Sequence, residues 1–140
     1  MPNPKAVALL TPLLLLASCS RRNTITRDEL RSQLTSAVSF AAEAEAFIDY
    51  VRQNRATRNY AEGHIKYLAD EVNRSSKELH EGMPAEGTEQ KVRECRSQLD
   101  SLADELAAVR IGIGNPPILA RTSERIAKIR RALEQTNSSL

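Results

Sequence analysis

Ile25-Thr26-Arg27-Asp28-Glu29-Leu30 is the stretch on which the fold turns. A Thr followed three residues later by a Glu is the pairing of a capping box, in which each side chain satisfies a backbone N–H near the other. Ile25 and Leu30 stand at the two positions of a hydrophobic staple. A helix therefore starts at Thr26. From there Leu34, Ala37, Ala41, Ala44, Ile48 and Val51 recur at alternating spacings of three and four, which places them on one helical face. The alanines let a partner helix come close, and Val38, Phe40 and Phe47 widen the apolar surface towards a bundle core.

Beyond Val51 the stripe meets Arg55 and Arg58 and resumes one residue out of phase at Ala61, Ile65, Leu68, Val72 and Leu79. A slip of this kind bends a long helix, and Gly63 just beyond it costs about 1 kcal/mol in a helix interior. Residues 26–81 are predicted as one long helix bent near 54–63. The rival is two helices, with Asn59 capping the second and Glu62 at its third position. Gly82, Pro84 and Gly87 mark a clear break, after which Thr88 is placed to cap a helix carrying Val92, Cys95, Leu99, Leu102, Leu106 and Val109 on one face. Ile111 to Pro117 forms a second break, rich in Gly and Pro. A last helix is expected from about Ile118 to Gln135, with Leu119, Thr122, Ile126, Ile129 and Leu133 inward and a fraying tail over 136–140. No segment alternates like a strand. The domain is expected to be all-α: either an elongated three-helix hairpin or bundle with a long bent first helix, or a four-helix up-and-down bundle.

Upstream of Ile25 the chain changes character. Met1 to Lys5 is weakly basic, Ala6 to Leu16 is apolar apart from Thr11 and Pro12, and Leu16-Ala17-Ser18-Cys19 follows. This is the three-part layout of a secretory signal, and the apolar run is about half the 20 residues a bilayer-spanning helix needs. The last four residues resemble the lipobox of bacterial prolipoproteins: an aliphatic residue, two small ones and an obligatory Cys. The resemblance implies cleavage between Ser18 and Cys19, a diacylglycerol on the Cys19 thiol, and a palmitate-type acyl chain on the new amino group. It also implies a cell-envelope location, where Ser20, in place of the Asp that retains such proteins at the inner membrane, favours the outer membrane facing the periplasm. The expected organisation is a signal peptide at 1–18, a short tether at 19–25 and a helical domain at 26–137.

Of 20 basic residues only Lys5 leaves with the signal, so 19 remain against 18 acidic ones. So even a balance argues against a nucleic-acid partner, which calls for a basic surplus. There are two cysteines; with Cys19 lipidated, Cys95 has no partner in the chain, and its place on an apolar face points to burial as a small hydrophobe rather than an intermolecular bond. Tyr60, His64, Tyr67 and Glu71 share one stripe beside the apolar face of their helix. They read as an amphipathic border burying ring bodies and wetting polar tips. His64 and His80 have no metal-binding spacing, and neither a phosphate loop nor a catalytic motif is present. The carboxylates Glu43, Glu45, Asp49, Asp70, Glu71, Asp100, Asp104 and Glu105 read as a solvated face. In the last helix Arg121, Arg125, Lys128, Arg130 and Arg131 outnumber Glu124 and Glu134, an excess suited to covering an outer face or meeting an anionic surface.

The expectation is a non-enzymatic, cofactor-free adaptor, held to the membrane by its lipid and binding another envelope protein. Its alternative is a self-assembling spacer, a homo-oligomer built through the heptads. The anchor is checked directly: mature protein should carry the mass of a diacylglyceryl group on Cys19 and fractionate with membranes, and Cys19→Ala should be soluble and unmodified.

Overall fold

The computed structural model describes residues 23–140; the expected signal peptide, Cys19 and the first tether residues lie outside the described residues. Four helices of nearly equal length make up the chain: α1 (Arg27–Arg52), α2 (Arg58–Glu81), α3 (Glu89–Gly112) and α4 (Pro116–Ser138). At 1.5 Å per residue each is about 35–39 Å long. Consecutive helices run antiparallel in a closed ring, with α1 against α2 and α4, α3 against α2 and α4, and the diagonal pairs barely meeting. The four-helix up-and-down bundle is thus the arrangement adopted. Its core is the predicted set of stripes, with Leu30, Leu34, Ile48, Ile65, Leu68, Leu99, Leu102, Leu106, Ile126 and Leu133 all fully buried. Ala37, Ala41 and Ala44 of α1 are buried, and α1 and α4 are the most closely apposed pair of helices.

α1 starts as its sequence dictates. Thr26 Oγ1 accepts from the Glu29 N–H at 3.2 Å, while the Thr26 N–H donates to Glu29 Oε2 at 2.8 Å. The Thr26 N–H foremost, and the Thr26 hydroxyl, which donates to the same Oε2 at 2.9 Å, hold the Glu29 carboxyl below its ordinary range.

The single long helix over 26–81 is corrected: the chain stops at Arg52 and restarts at Arg58. Asn54 takes φ 56°, its N–H donates to the Val51 carbonyl at 2.9 Å, and the Arg55 N–H donates to the Tyr50 carbonyl at 3.2 Å. That pair of bonds is a Schellman motif with Asn, not Gly, in the left-handed position. The cap of α2 is Thr57, whose hydroxyl accepts from the Tyr60 N–H, and not Asn59. Other boundaries shift as well. Thr88 precedes α3 but makes no cap; it is buried and donates to the Ala85 carbonyl at 2.7 Å. Asn115 caps α4, so Pro116 and Pro117 belong to its first turn, where a missing N–H leaves nothing unsatisfied. The tail does not fray after Gln135. Thr136 is buried and donates to Glu94, and Lys91 Nζ donates to Ser139 Oγ at 2.8 Å.

The domain is all-α as expected, and the one strand pairing among the described residues is minimal: β1 (Thr24–Ile25) pairs in parallel with β2 (Met83–Pro84). The Met83 N–H donates to the Asn23 carbonyl at 2.8 Å and the Ala85 N–H to the Ile25 carbonyl at 3.0 Å. Ile25 is therefore not tether but part of the folded domain, 5% exposed against the end of α2. Arg96 of α3 completes this end by donating to the Leu79 and Gly82 carbonyls, orphaned at the C-terminus of α2.

Two glycines give opposite expectations for one substitution. A Cβ on Gly82 would lie 2.5 Å from Ile25 Cγ1, whereas a Cβ on Gly63 would meet nothing within 4 Å. In urea unfolding, Gly82→Ala should lose about 1–3 kcal/mol by overpacking and Gly63→Ala should gain up to about 1 kcal/mol from helix propensity. A stabilising Gly82→Ala would mean that Ile25 is not docked where the structure puts it.

Candidate functional site

Two short stripes meet at the α1–α2 seam. α1 contributes Glu43, Phe47 and Tyr50, and α2 contributes Tyr60, His64 and Tyr67, each set spaced four and then three residues apart so that it falls on one face. The antiparallel turn at 53–57 brings the two faces together. Phe47, 8% exposed, is the hub. His64 lies against it at 4.1 Å between ring centroids, Tyr60 meets it edge-on at 5.7 Å, and Tyr50 stacks at 6.2 Å. Tyr67 extends the row, 6.1 Å from His64. Arg55 sits 6.0 Å over the Tyr50 ring, within reach of a cation–π contact.

At this ring-filled seam α1 and α2 approach each other less closely than α1 and α4 do. They also leave much aromatic surface in solvent: Tyr50, Tyr60 and Tyr67 are 39%, 56% and 53% exposed. The protein has five aromatic residues in all, three Tyr and two Phe, and four of them are here.

The stripe Tyr60, His64, Tyr67, Glu71 was legible in the sequence as a border, but its partner stripe on α1 was not; Phe47 read as core alone. The four-then-three spacing of Glu43-Phe47-Tyr50 and of Tyr60-His64-Tyr67, one on each side of Arg55, was the available signal. Glu71 is not the partner of His64. It pairs with Arg74 at 3.1 Å, while His64 Nε2 lies 3.1 Å from Glu43 Oε1 across the seam. Asp49 pairs with Arg52 and Asp70 with Lys66 along their own helices, and Glu45 and Glu105 bind arginines of α4.

A second histidine makes a different cluster. His80 Nε2 is 3.1 Å from Asp100 Oδ2, and Ser76 Oγ donates to Asp100 Oδ1. Ser, His and Asp are all present, but the carboxylate stands in the middle. Nucleophilic catalysis needs the imidazole between hydroxyl and carboxylate, so the trio acts as a clasp between α2 and α3. Among the described residues no group of three or more His, Cys, Asp or Glu is placed to hold a metal ion, and no helix is long and apolar enough to cross a membrane.

No protein-family model, curated protein or solved structure matches the chain.

Cys95 is fully buried on the inner face of α3, and burial pushes its thiol up to about 12. Neutral and enclosed, it packs as an apolar residue. A thiol reagent at pH 8 should leave Cys95 untouched in the native protein and modify it once denaturant is added; rapid native labelling would contradict the burial.

Proposed function

We propose that this chain is a bacterial envelope lipoprotein, anchored through Cys19 after cleavage behind Ser18, whose helical bundle is a non-enzymatic adaptor for another envelope protein. The observation that carries the adaptor role is the gathering of all three tyrosines on one exposed seam, around Phe47 and His64. Tyrosine presents a large apolar body and a polar tip at little entropic cost, which suits it to the centre of a protein interface. The lipobox supplies the location, with Ser20 favouring the outer membrane on its periplasmic side.

The adaptor is favoured over the self-assembling spacer because of where the heptad residues go. Leu99, Leu102, Leu106, Ile126 and Leu133 are spent in the chain's own core, leaving an oligomer of the heptad type no apolar seam to use. An adaptor also needs no catalytic set, and both histidines engage single carboxylates of a neighbouring helix.

A photo-crosslinking residue in place of Tyr60 or Tyr67 should capture one discrete envelope protein in living cells, and the same residue at Arg93 should not. Replacing both tyrosines with Ala should weaken that complex by about 2 kcal/mol or more, roughly 30-fold, while leaving thermal stability nearly unchanged. Capture that is the same from Arg93 as from the tyrosines would count against this face.

A further inference from the structure

The two ends of the bundle differ in charge. At one end lie the turn at 53–57 and the connector between α3 and α4. Over residues 50–61 and 107–123 this end carries Arg52, Arg55, Arg58, Arg110 and Arg121, all exposed, and no acid. Asp49 and Glu62, just inside it, pair with Arg52 at 3.0 Å and with Arg58 at 2.8 Å. Arg55, Arg110 and Arg121 have no carboxylate within 4 Å among the described residues. Neither helix that starts here, α2 or α4, has an acid in its first turn to neutralise them. The other end, over 24–30 and 77–90, carries Asp28, Glu29, Glu78, Glu81, Glu86 and Glu89 against Arg27 and Lys77. Lys128 and Arg131, likewise without a carboxylate within 4 Å among the described residues, run back along the outer face of α4.

The arginine-rich end is also where apolar surface is bare. Ile111, at 90%, is the most exposed large apolar side chain among the described residues. It borders a groove between α2 and α3 that Asn59, Glu62, Gly63, Lys66 and Arg110 also line. A Cβ on Gly63 would meet nothing within 4 Å, so α2 offers open backbone there. Tyr60 is one turn from Gly63 on the same helix surface. The groove is therefore continuous with the tyrosine seam.

We infer that this end receives an acidic segment of the partner protein bound at the tyrosine seam, its carboxylates drawn by Arg55, Arg110 and Arg121 and an apolar side chain seated beside Ile111. The inference rests on the adaptor reading and names the chemistry of its partner. Charge complementarity selects the occupant: exposed arginines with no acid among them are completed by carboxylates from outside. Arg and Tyr are also the side chains that dominate the centres of protein interfaces. The tether separates such a segment from an anionic membrane as the occupant. Asn23 lies beside Glu78 and Leu79, at the acidic end, and Cys19 precedes it by four residues, at most about 14 Å of extended chain. The 26 residues of α1 span about 39 Å. An anchor at Cys19 therefore holds the acidic end, and the arginine-rich end is the one remote from it.

The test uses the full-length protein purified from cells and two fluorescent peptides, one rich in Glu with interspersed Leu and its copy with Gln for every Glu. By fluorescence anisotropy the acidic peptide should bind at low salt and be released at high salt, and the Gln copy should not bind. The variant Arg55→Gln/Arg110→Gln/Arg121→Gln should weaken the acidic peptide roughly tenfold, as the loss of three exposed pairs gives. Arg27→Gln/Arg31→Gln/Lys77→Gln, which removes the same charge at the other end, should leave it unchanged. Gly63→Gln should also weaken it, by filling the open stretch of α2, while melting no lower than wild type. Unchanged circular dichroism melting of the first triple variant shows that only exposed charge was removed. Binding of neither peptide, equal binding of both, equal effects of the two triple variants, or a Gly63→Gln variant that binds like wild type would each overturn the inference. So would loss, in the first triple variant, of binding to phosphatidylglycerol vesicles with no peptide binding in the wild type, which points to a lipid surface instead. In cells, a photo-crosslinking residue at Ile111 should capture the same protein as one at Tyr60, through a segment rich in Asp or Glu. Capture from Tyr60 alone overturns the inference and leaves the adaptor standing. Capture from neither removes the adaptor, and peptide binding then decides the charged end by itself.

Discussion

Asn54, at φ 56°, is the residue on which the rest of the architecture depends. A left-handed residue lets two N–H groups fold back onto the last carbonyls of α1, so the helix can end without orphaned acceptors. Had the chain continued as a rod, the stripes Glu43-Phe47-Tyr50 and Tyr60-His64-Tyr67 would have lain end to end on it. The turn folds them face to face, makes four helices of nearly equal length out of what the periodicity alone allowed to be three, and closes a ring in which every apolar stripe has a partner.

Two of the four seams are closed in contrasting chemical styles. Between α1 and α4 the backbones come close, and Arg130 of α4 reaches across to Glu45 while also pairing with Glu134 of its own helix, the Glu45 bond foremost among those that hold its charge more firmly. Between α1 and α2 rings fill the gap and the polar link is His64–Glu43. The result is an uneven exterior. Aromatic surface collects where helices are held apart by rings, and unpaired cations collect on α4, whose acids Glu134 and Glu124 are too few to neutralise it. Phe47 belongs to the core, while the tyrosines around it and the free cations of α4 lie on the surface.

How far this was legible follows from the range of the forces involved. The capping box at Thr26 and Glu29 is made within four residues, so it could be read and is present as read. The heptads on Leu99, Leu102 and Leu106 are also local statements, and the inward place of Cys95 followed from them. The turn at 53–57 was read as a bend, with two helices only as the rival, because Asn in the left-handed position carries a weaker signature than Gly, and because Thr57 caps a helix whose first turn holds no acid. Thr88 looked like a cap by position, yet its hydroxyl went to Ala85 instead. The docking of Ile25 on Gly82 and of Thr136 on Glu94 joins residues more than 40 apart, beyond the reach of any spacing rule.

By itself the sequence determined that the domain is helical and which face of each helix turns inward, because those depend on periodicity and short motifs. The tertiary structure alone decided that the helices number four, that α1 and α2 share an aromatic face, that Glu43 and not Glu71 meets His64, and which cations of α4 remain unpaired. Those outcomes depend on which helix lies beside which. That is set by the competition among all four apolar stripes for one core, a property of the whole chain and of no segment of it.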